Sequence, residues 1–254
     1  MYSMQKSCII FDLDGVLFKE NRIKLLLKSG IYKTIRYLVT HRRNPIKIGF
    51  DIMHKMSIEE DTGNRKPNMY KHYIMPHCVG EWMRGVISNT ILLEKIDAFI
   101  EKLKKRNYFL SSYELNFVQQ AIRMILDEYQ IPQYNEPIKP MIRLVNTLKQ
   151  EGKHRLFILS NYAKKASDLL IQNHQDFFSL FEDIIISANI GMIKPEQEIY
   201  KHLIGKHALT PQECLFVDDT KANIASAQKL GITGIHFEKY KSLENTLRQL
   251  QILQ

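Results

Sequence analysis

The stretch Cys8-Ile9-Ile10-Phe11-Asp12-Leu13-Asp14-Gly15-Val16 decides how this chain is read. Four apolar residues run straight into two carboxylates spaced two apart. In extended geometry Asp12 and Asp14 point to the same side and Leu13 to the other. Two adjacent negative charges repel unless a cation lies between them or one keeps its proton. Gly15 permits the sharp backbone exit that such a loop requires. Aspartates after a strand also make turns and helix caps, so the spacing by itself leaves both readings open.

Outward from this stretch, short apolar runs recur at 156–159, 184–186, 215–217 and 234–237. Between them stand helical patterns at 141–150, 164–172, 196–207, 221–230 and 242–253. Strands alternating with helices predict an α/β fold, a doubly wound parallel sheet. Between the first run and the second lie far more residues than one crossover helix needs, which implies an inserted unit. Its pattern is helical over 22–38, 90–103 and 114–129, with apolar residues every three to four positions. The expected division is a core of residues 1–18 and 136–254 and an inserted helical cap of residues 19–135. Residues 61–85 are irregular and aromatic, and carry no predicted element.

The 254 residues carry a net charge of +9, with 44% hydrophobic residues, enough for a packed interior. The positive excess is local: residues 19–110 hold 19 Lys and Arg against 9 Asp and Glu, while residues 111–254 hold 16 of each. Such a segment can steer an anionic substrate, bind nucleic acid or an acidic membrane, or keep the protein soluble. No run has the length of a membrane span, and the first residues lack the apolar region of a signal peptide. Cys8, Cys78 and Cys214 lie far apart in sequence, which argues against a disulfide framework and favours a cytoplasmic location.

Three further segments place chemistry at strand ends. The run 156–159 leads into Ser160-Asn161, where the Ser160 hydroxyl and nearby amides are expected at a helix N-terminus, an anion site or a plain cap. After the third run comes Gly191-Met192-Ile193-Lys194-Pro195-Glu196, with Pro195 expected in the first turn of a helix and Lys194 just before it. The fourth run ends Val217-Asp218-Asp219-Thr220, with Asn223 on the helix that follows. Ligands bind at the carboxyl ends of open parallel sheets. Two carboxylate pairs, a hydroxyl and a lysine converging there suit a hard cation such as magnesium together with a phosphate.

The segments FDLDGVL, ILSN, GMIKPEQEIY and FVDDTKANIASAQKLGITGIHF resemble, in order, the four motifs of haloacid dehalogenase-like hydrolases. The resemblance covers residues 7–18 and about 138–240, and the insert falls where that superfamily places a helical cap. It implies a Mg2+-dependent phosphatase acting on a small phosphorylated metabolite such as a sugar phosphate. Asp12 would then be the nucleophile that forms an aspartyl phosphate, and Asp14 the acid and base. Ser160 would bind a phosphoryl oxygen with help from Asn161, and Lys194 would neutralise developing charge. Magnesium would be held by Asp12, by the Asp14 carbonyl and by Asp219, with Asp218 assisting. The family's dehalogenases lack the second aspartate of the first motif, whereas Asp14 is present. The alternatives are a phosphomutase, a phosphoprotein phosphatase, or a non-catalytic protein that binds through the basic insert. The expected partner is a small-molecule phosphorylated substrate, with neither membrane nor nucleic acid expected.

Several local features have plainer readings. His72, His77 and Cys78 match no standard zinc spacing. His41, Arg42 and Arg43 read as charge at a helix C-terminus. Tyr70, Tyr73 and Trp82 are candidates either for the core of the insert or for a specificity surface.

Overall fold

The computed structural model describes residues 6–21, 24, 30–41, 45–60, 68–70 and 73–253. Among these the strands are, in chain order, β1 (Cys8–Phe11), β2 (Phe18–Glu20), β3 (Asn68–Tyr70), β4 (Tyr73–Met75), β5 (Asn135–Pro137), β6 (Arg155–Ser160), β7 (Asp183–Ile186), β8 (Cys214–Asp218) and β9 (Thr233–His236). The chain divides into two compact units, one of Met1–Glu20 with Asn135–Gln254 and one of Asn21–Tyr134.

In the first unit β7, β6, β1, β8 and β9 form a sheet in that order, each neighbouring pair parallel, with helices on both sides. Strands buried on both faces need apolar residues at every position, which is why these segments read as continuous runs. Cys8, Ile9, Ile10 and Phe11 are all fully buried. The two-residue period assigns Cys8, Ile10, Phe157, Leu159, Cys214 and Phe216 to one face. Ile199, Tyr200 and Leu203 of the helix Gln197–Lys206 join them in one core, as do Ile224 and Ala227 of Lys221–Gln228. Each Ile, Leu and Phe side chain among them stabilises the fold by about 1.5–3 kcal/mol through burial. All three cysteines are buried and free.

The strand order reverses at β1: β6 and β7 extend to one side and β8 and β9 to the other. The crevice for a ligand in such a sheet lies at the carboxyl ends beside that reversal. β1, β6 and β8 therefore deliver their C-terminal residues to one place.

A two-stranded antiparallel ribbon, β2 with β5, lies outside the sequence expectations. Asn21 N–H donates to the Tyr134 carbonyl at 2.7 Å and extends the pairing by one step. The division between units thus falls after Glu20 and before Asn135, against the expected 18/19 and 135/136.

The second unit contains the helices Ile31–His41, Pro45–Glu60, His77–Met83, Asn89–Lys105, Ser112–Leu126 and Ile131–Tyr134. Ser88 and Ser111 cap the fourth and fifth, accepting from Ile91 N–H and Glu114 N–H. The pattern read as a helix over 114–129 stops at Leu126, because Asp127 takes extended geometry and its side chain accepts from Tyr129 N–H. The irregular stretch 61–85 holds the antiparallel pair β3–β4 and the helix His77–Met83. Of the expected helix 22–38, residues 22–23 and 25–29 lie outside the described residues. Among the described residues no helix is long and apolar enough to cross a membrane.

Candidate active site

Asp12 follows directly on β1, and its N–H donates to the Val217 carbonyl of β8 at 2.9 Å, so it stands level with Asp218 at the end of β8. β1 ends at Phe11; Leu13 and Gly15 to Leu17 form the turns of the loop, and Asp14 between them makes an isolated bridge with Phe18. Leu17 N–H and Phe18 N–H both donate to the Leu13 carbonyl and fold the loop back, and Gly15 sits at φ +81°. A β-carbon at Gly15 would come within 2.8 Å of Asp219 Cγ. Glycine is thus required twice, for the left-handed backbone and for the carboxylate beside it. Asp14 is half-buried, and its charge reaches the hydroxyl of Tyr162.

Lys194 Nζ lies 2.8 Å from Asp12 Oδ1 and 2.7 Å from Asp218 Oδ2, and donates to the Leu159 carbonyl at 2.8 Å. Asp12, Lys194 and Asp218 are 7%, 3% and 0% exposed. Asp218 also accepts from Thr220 N–H at 2.7 Å, a turn that leads β8 into the next helix, and from Asn223 Nδ2 at 3.0 Å on each oxygen. Asp219 accepts from Thr220 Oγ1 at 3.2 Å. Ligand oxygens of Asp12, Asp218 and Asp219 all fall within 4.8 Å of one another, close enough that one metal ion could be held between them.

Burial pushes the Asp12 carboxyl well above the ordinary carboxylate range; Lys194 opposes this, and Asp218 and Asp219 add to it. Burial alone disfavours the Lys194 ammonium, yet Asp12 and Asp218 carry its pKa above the ordinary lysine value. Both shifts favour bound protons, as expected where two buried carboxylates share one ammonium. A divalent cation would offset carboxylate charge here, and an all-oxygen donor set suits a hard ion.

Ser160 departs from its expected place. It ends β6, the next helix starts only at Lys164, and Ala163 holds the cap position. Its Oγ is buried and has no hydrogen-bond partner among the described residues. Buried hydroxyls are nearly always bonded, so one without a protein partner beside a charged cluster is suited to a ligand oxygen. Asn161 is also used differently from expectation: its side chain donates to the Lys194 carbonyl and accepts from the Lys194 N–H, each at 2.8 Å. It fixes the backbone that carries the ammonium. Pro195 is not in a helical turn either. The helix starts at Gln197 with Glu196 at the cap position, and the Pro195 carbonyl accepts instead from Ser226 Oγ at 2.5 Å.

Two residues escaped the sequence reading. The Tyr162 hydroxyl, buried, accepts from Asn135 Nδ2 at 2.5 Å, and burial first and Asp14 next raise its pKa. Asn135 and Tyr162 are 27 positions apart, and Asn135 stands on β5 of the ribbon. No local signal could have found this pair.

The minor features resolve plainly. His77 pairs with Glu81 at 3.3 Å, Cys78 is buried with its N–H toward Glu60, and Trp82 is buried. His41 stacks on Tyr37 at the end of its helix. Tyr70 and Tyr73 lie in β3 and β4. Arg42, Arg43 and His72 lie outside the described residues.

The sequence profile of the haloacid dehalogenase-like hydrolases matches residues 6–231. Among curated proteins, the sesquiterpene phosphatase astK of Aspergillus oryzae is 32% identical over 114 residues, 45% of this chain and 57% of that protein. The bifunctional epoxide hydrolase 2 of Rattus norvegicus is 29% identical over 115 residues, 44% of this chain but 20% of that protein. The chain therefore spans only a part of these relatives. Among solved structures, a HAD family enzyme from Bacteroides thetaiotaomicron has a TM-score of 0.55 at 19% identity, covering 94% of this chain and 98% of its own. Another crystal structure of that enzyme holds magnesium and inorganic phosphate.

Proposed function

Because the chain belongs to the haloacid dehalogenase-like hydrolases, we propose that it is a magnesium-dependent phosphatase that hydrolyses a small phosphate monoester with Asp12 as nucleophile. The observation that carries this reading is the buried, unpartnered Ser160 Oγ beside the Asp12–Lys194–Asp218 cluster. A phosphoryl group brings the acceptor oxygens that such a hydroxyl needs and the negative charge that a lysine compensates. Phosphatase chemistry among curated relatives and magnesium in a structural neighbour agree with it.

In this reading Asp12 attacks phosphorus, forming an aspartyl phosphate as the ester oxygen leaves. Asp14 gives that oxygen a proton and then takes one from the water that cleaves the acyl phosphate. Ser160 Oγ donates to a non-bridging oxygen, and Lys194 balances charge on Asp12 and on the phosphoryl group. Asn161 positions Lys194 through both of its backbone groups. Magnesium, when bound, would supply Lewis-acid charge that offsets the repulsion between the phosphate and the Asp12 carboxylate. Asp12 and Asp219 are its best direct holders with the Asp14 carbonyl, since Asp218 already accepts from Lys194, Asn223 and Thr220. The unit Asn21–Tyr134 serves as the cap that sets specificity.

The test is turnover of a chromogenic phosphate monoester. Activity should require magnesium, vanish on chelation, and be lost in Asp12→Asn with the thermal transition preserved. Turnover that survives Asp12→Asn would sink the assignment.

A further inference from the structure

The helix Ile31–His41 is held to its unit by one narrow face. Tyr37 is fully buried, stacks on Phe117 at 4.5 Å, and donates from its hydroxyl to buried Glu114 at 3.0 Å. His41, one turn on, bonds Ser111 Oγ at 2.7 Å. Beside that face the helix leaves four large apolar side chains in the open: Tyr32 at 78% exposure, Val39 at 70%, Ile35 at 54% and Leu38 at 47%. At the helical spacing of about 100° per residue these four fall within about a third of the circumference. Exposed Lys33 and Arg36 flank the stripe on the side away from Leu38, and the Arg36 guanidinium lies 4.9 Å from the Tyr113 ring centre.

Single exposed apolar residues are ordinary, but a continuous stripe on an otherwise anchored helix is not. The charge in the sequence that carries it has one sign. From residue 21 to residue 50 the sequence holds eight Lys and Arg and no Asp or Glu. A partner protein with an acidic rim would meet part of this, but thirty residues without a single acid match a continuous anionic plane into which apolar side chains can sink. We propose that this face of the Ile31–His41 helix docks on an anionic membrane surface, with Tyr32, Ile35, Leu38 and Val39 entering the headgroup boundary and Lys33 and Arg36 meeting lipid phosphates. This replaces the expectation of no membrane partner and concerns a peripheral contact, not a span.

The experiment is co-sedimentation of the full chain with vesicles of phosphatidylcholine alone and of phosphatidylcholine with about one-third phosphatidylglycerol. The chain should pellet with the anionic vesicles and not with the neutral ones, and less as salt rises. Ile35→Glu/Val39→Glu and Lys33→Glu/Arg36→Glu should each weaken this by about tenfold or more, with circular dichroism unchanged. Tyr32→Trp should shift its fluorescence to shorter wavelength on anionic vesicles, a readout independent of the charge-altering variants. No pelleting with anionic vesicles would overturn the proposal. So would pelleting that Ile35→Glu/Val39→Glu leaves intact, since charge alone then accounts for it. A dimer that the same variant splits would also overturn it, giving the stripe to a second copy of the chain. Retention on an oligonucleotide column without vesicle binding would assign the basic run to nucleic acid instead.

Discussion

Asp219 fills the space that a side chain at Gly15 would need, so the two loops that follow β1 and β8 are fitted to each other at a glycine. Gly15→Ala adds a β-carbon to a left-handed backbone and drives it into the Asp219 carboxylate. The strain alone is about 1–2 kcal/mol. A lowered thermal midpoint should accompany a loss of turnover, and magnesium titration by calorimetry should show weaker binding because Asp219 is displaced.

Lys194→Met leaves Asp12 and Asp218 buried with no countercharge. Breaking a buried ion pair by removing one partner costs about 3–5 kcal/mol. Urea unfolding should record that loss, and it should shrink as pH falls, since protonating Asp12 relieves the repulsion. A variant as stable as the wild type at neutral pH would show that the ammonium is not what holds the cluster.

Ser160→Ala separates ligand binding from folding. The hydroxyl is buried without a partner, so deleting it removes an unsatisfied group and stability should hold or rise by up to about 1 kcal/mol. Turnover should drop about a hundredfold if the hydroxyl binds a phosphoryl oxygen. Unchanged kcat would remove Ser160 from the site.

At the opposite end of the strands, Asp183 is met by Lys206 Nζ and His207 Nε2, each at 2.7 Å. Burial alone would raise its pKa, but these partners bring it below the ordinary aspartate value of 3.8. A depressed folded-state pKa gives stability that is present above 3.8 and lost as pH falls through the folded value. Asp183→Asn should lower stability at neutral pH and flatten the acid limb of an unfolding profile, with little change in turnover.

The parallel sheet was legible because its strands are buried on both faces and so appear as apolar runs. Asp12, Asp218 and Asp219 were legible because each stands at the end of such a run, and Lys194 because it precedes Pro195 on the way into a helix. The ribbon of β2 with β5 was not, since Phe18-Lys19-Glu20 and Asn135-Glu136-Pro137 have neither alternation nor apolar length. Ser160 was expected at the helix N-terminus, but it ends β6, and Ala163, three residues on, holds the cap position. The engagement of Asn161 with Lys194 is a contact across 33 positions, and no periodicity carries such information. Asp127 ended a helix whose apolar period continues to Tyr129, since a local side-chain bond outweighed the pattern.

The β2–β5 ribbon has a consequence for how the chain is assembled. It ties residues 18–20 to residues 135–137, so the sheet meets everything between them as though it were a short hairpin loop. The cost of loop closure rises only slowly with length, so the size of the intervening segment adds little to the cost of pairing β1 with β6. The intervening sequence can therefore be lengthened, shortened or exchanged with the ribbon as a fixed socket, leaving the spacing of Asp12 and Ser160 undisturbed.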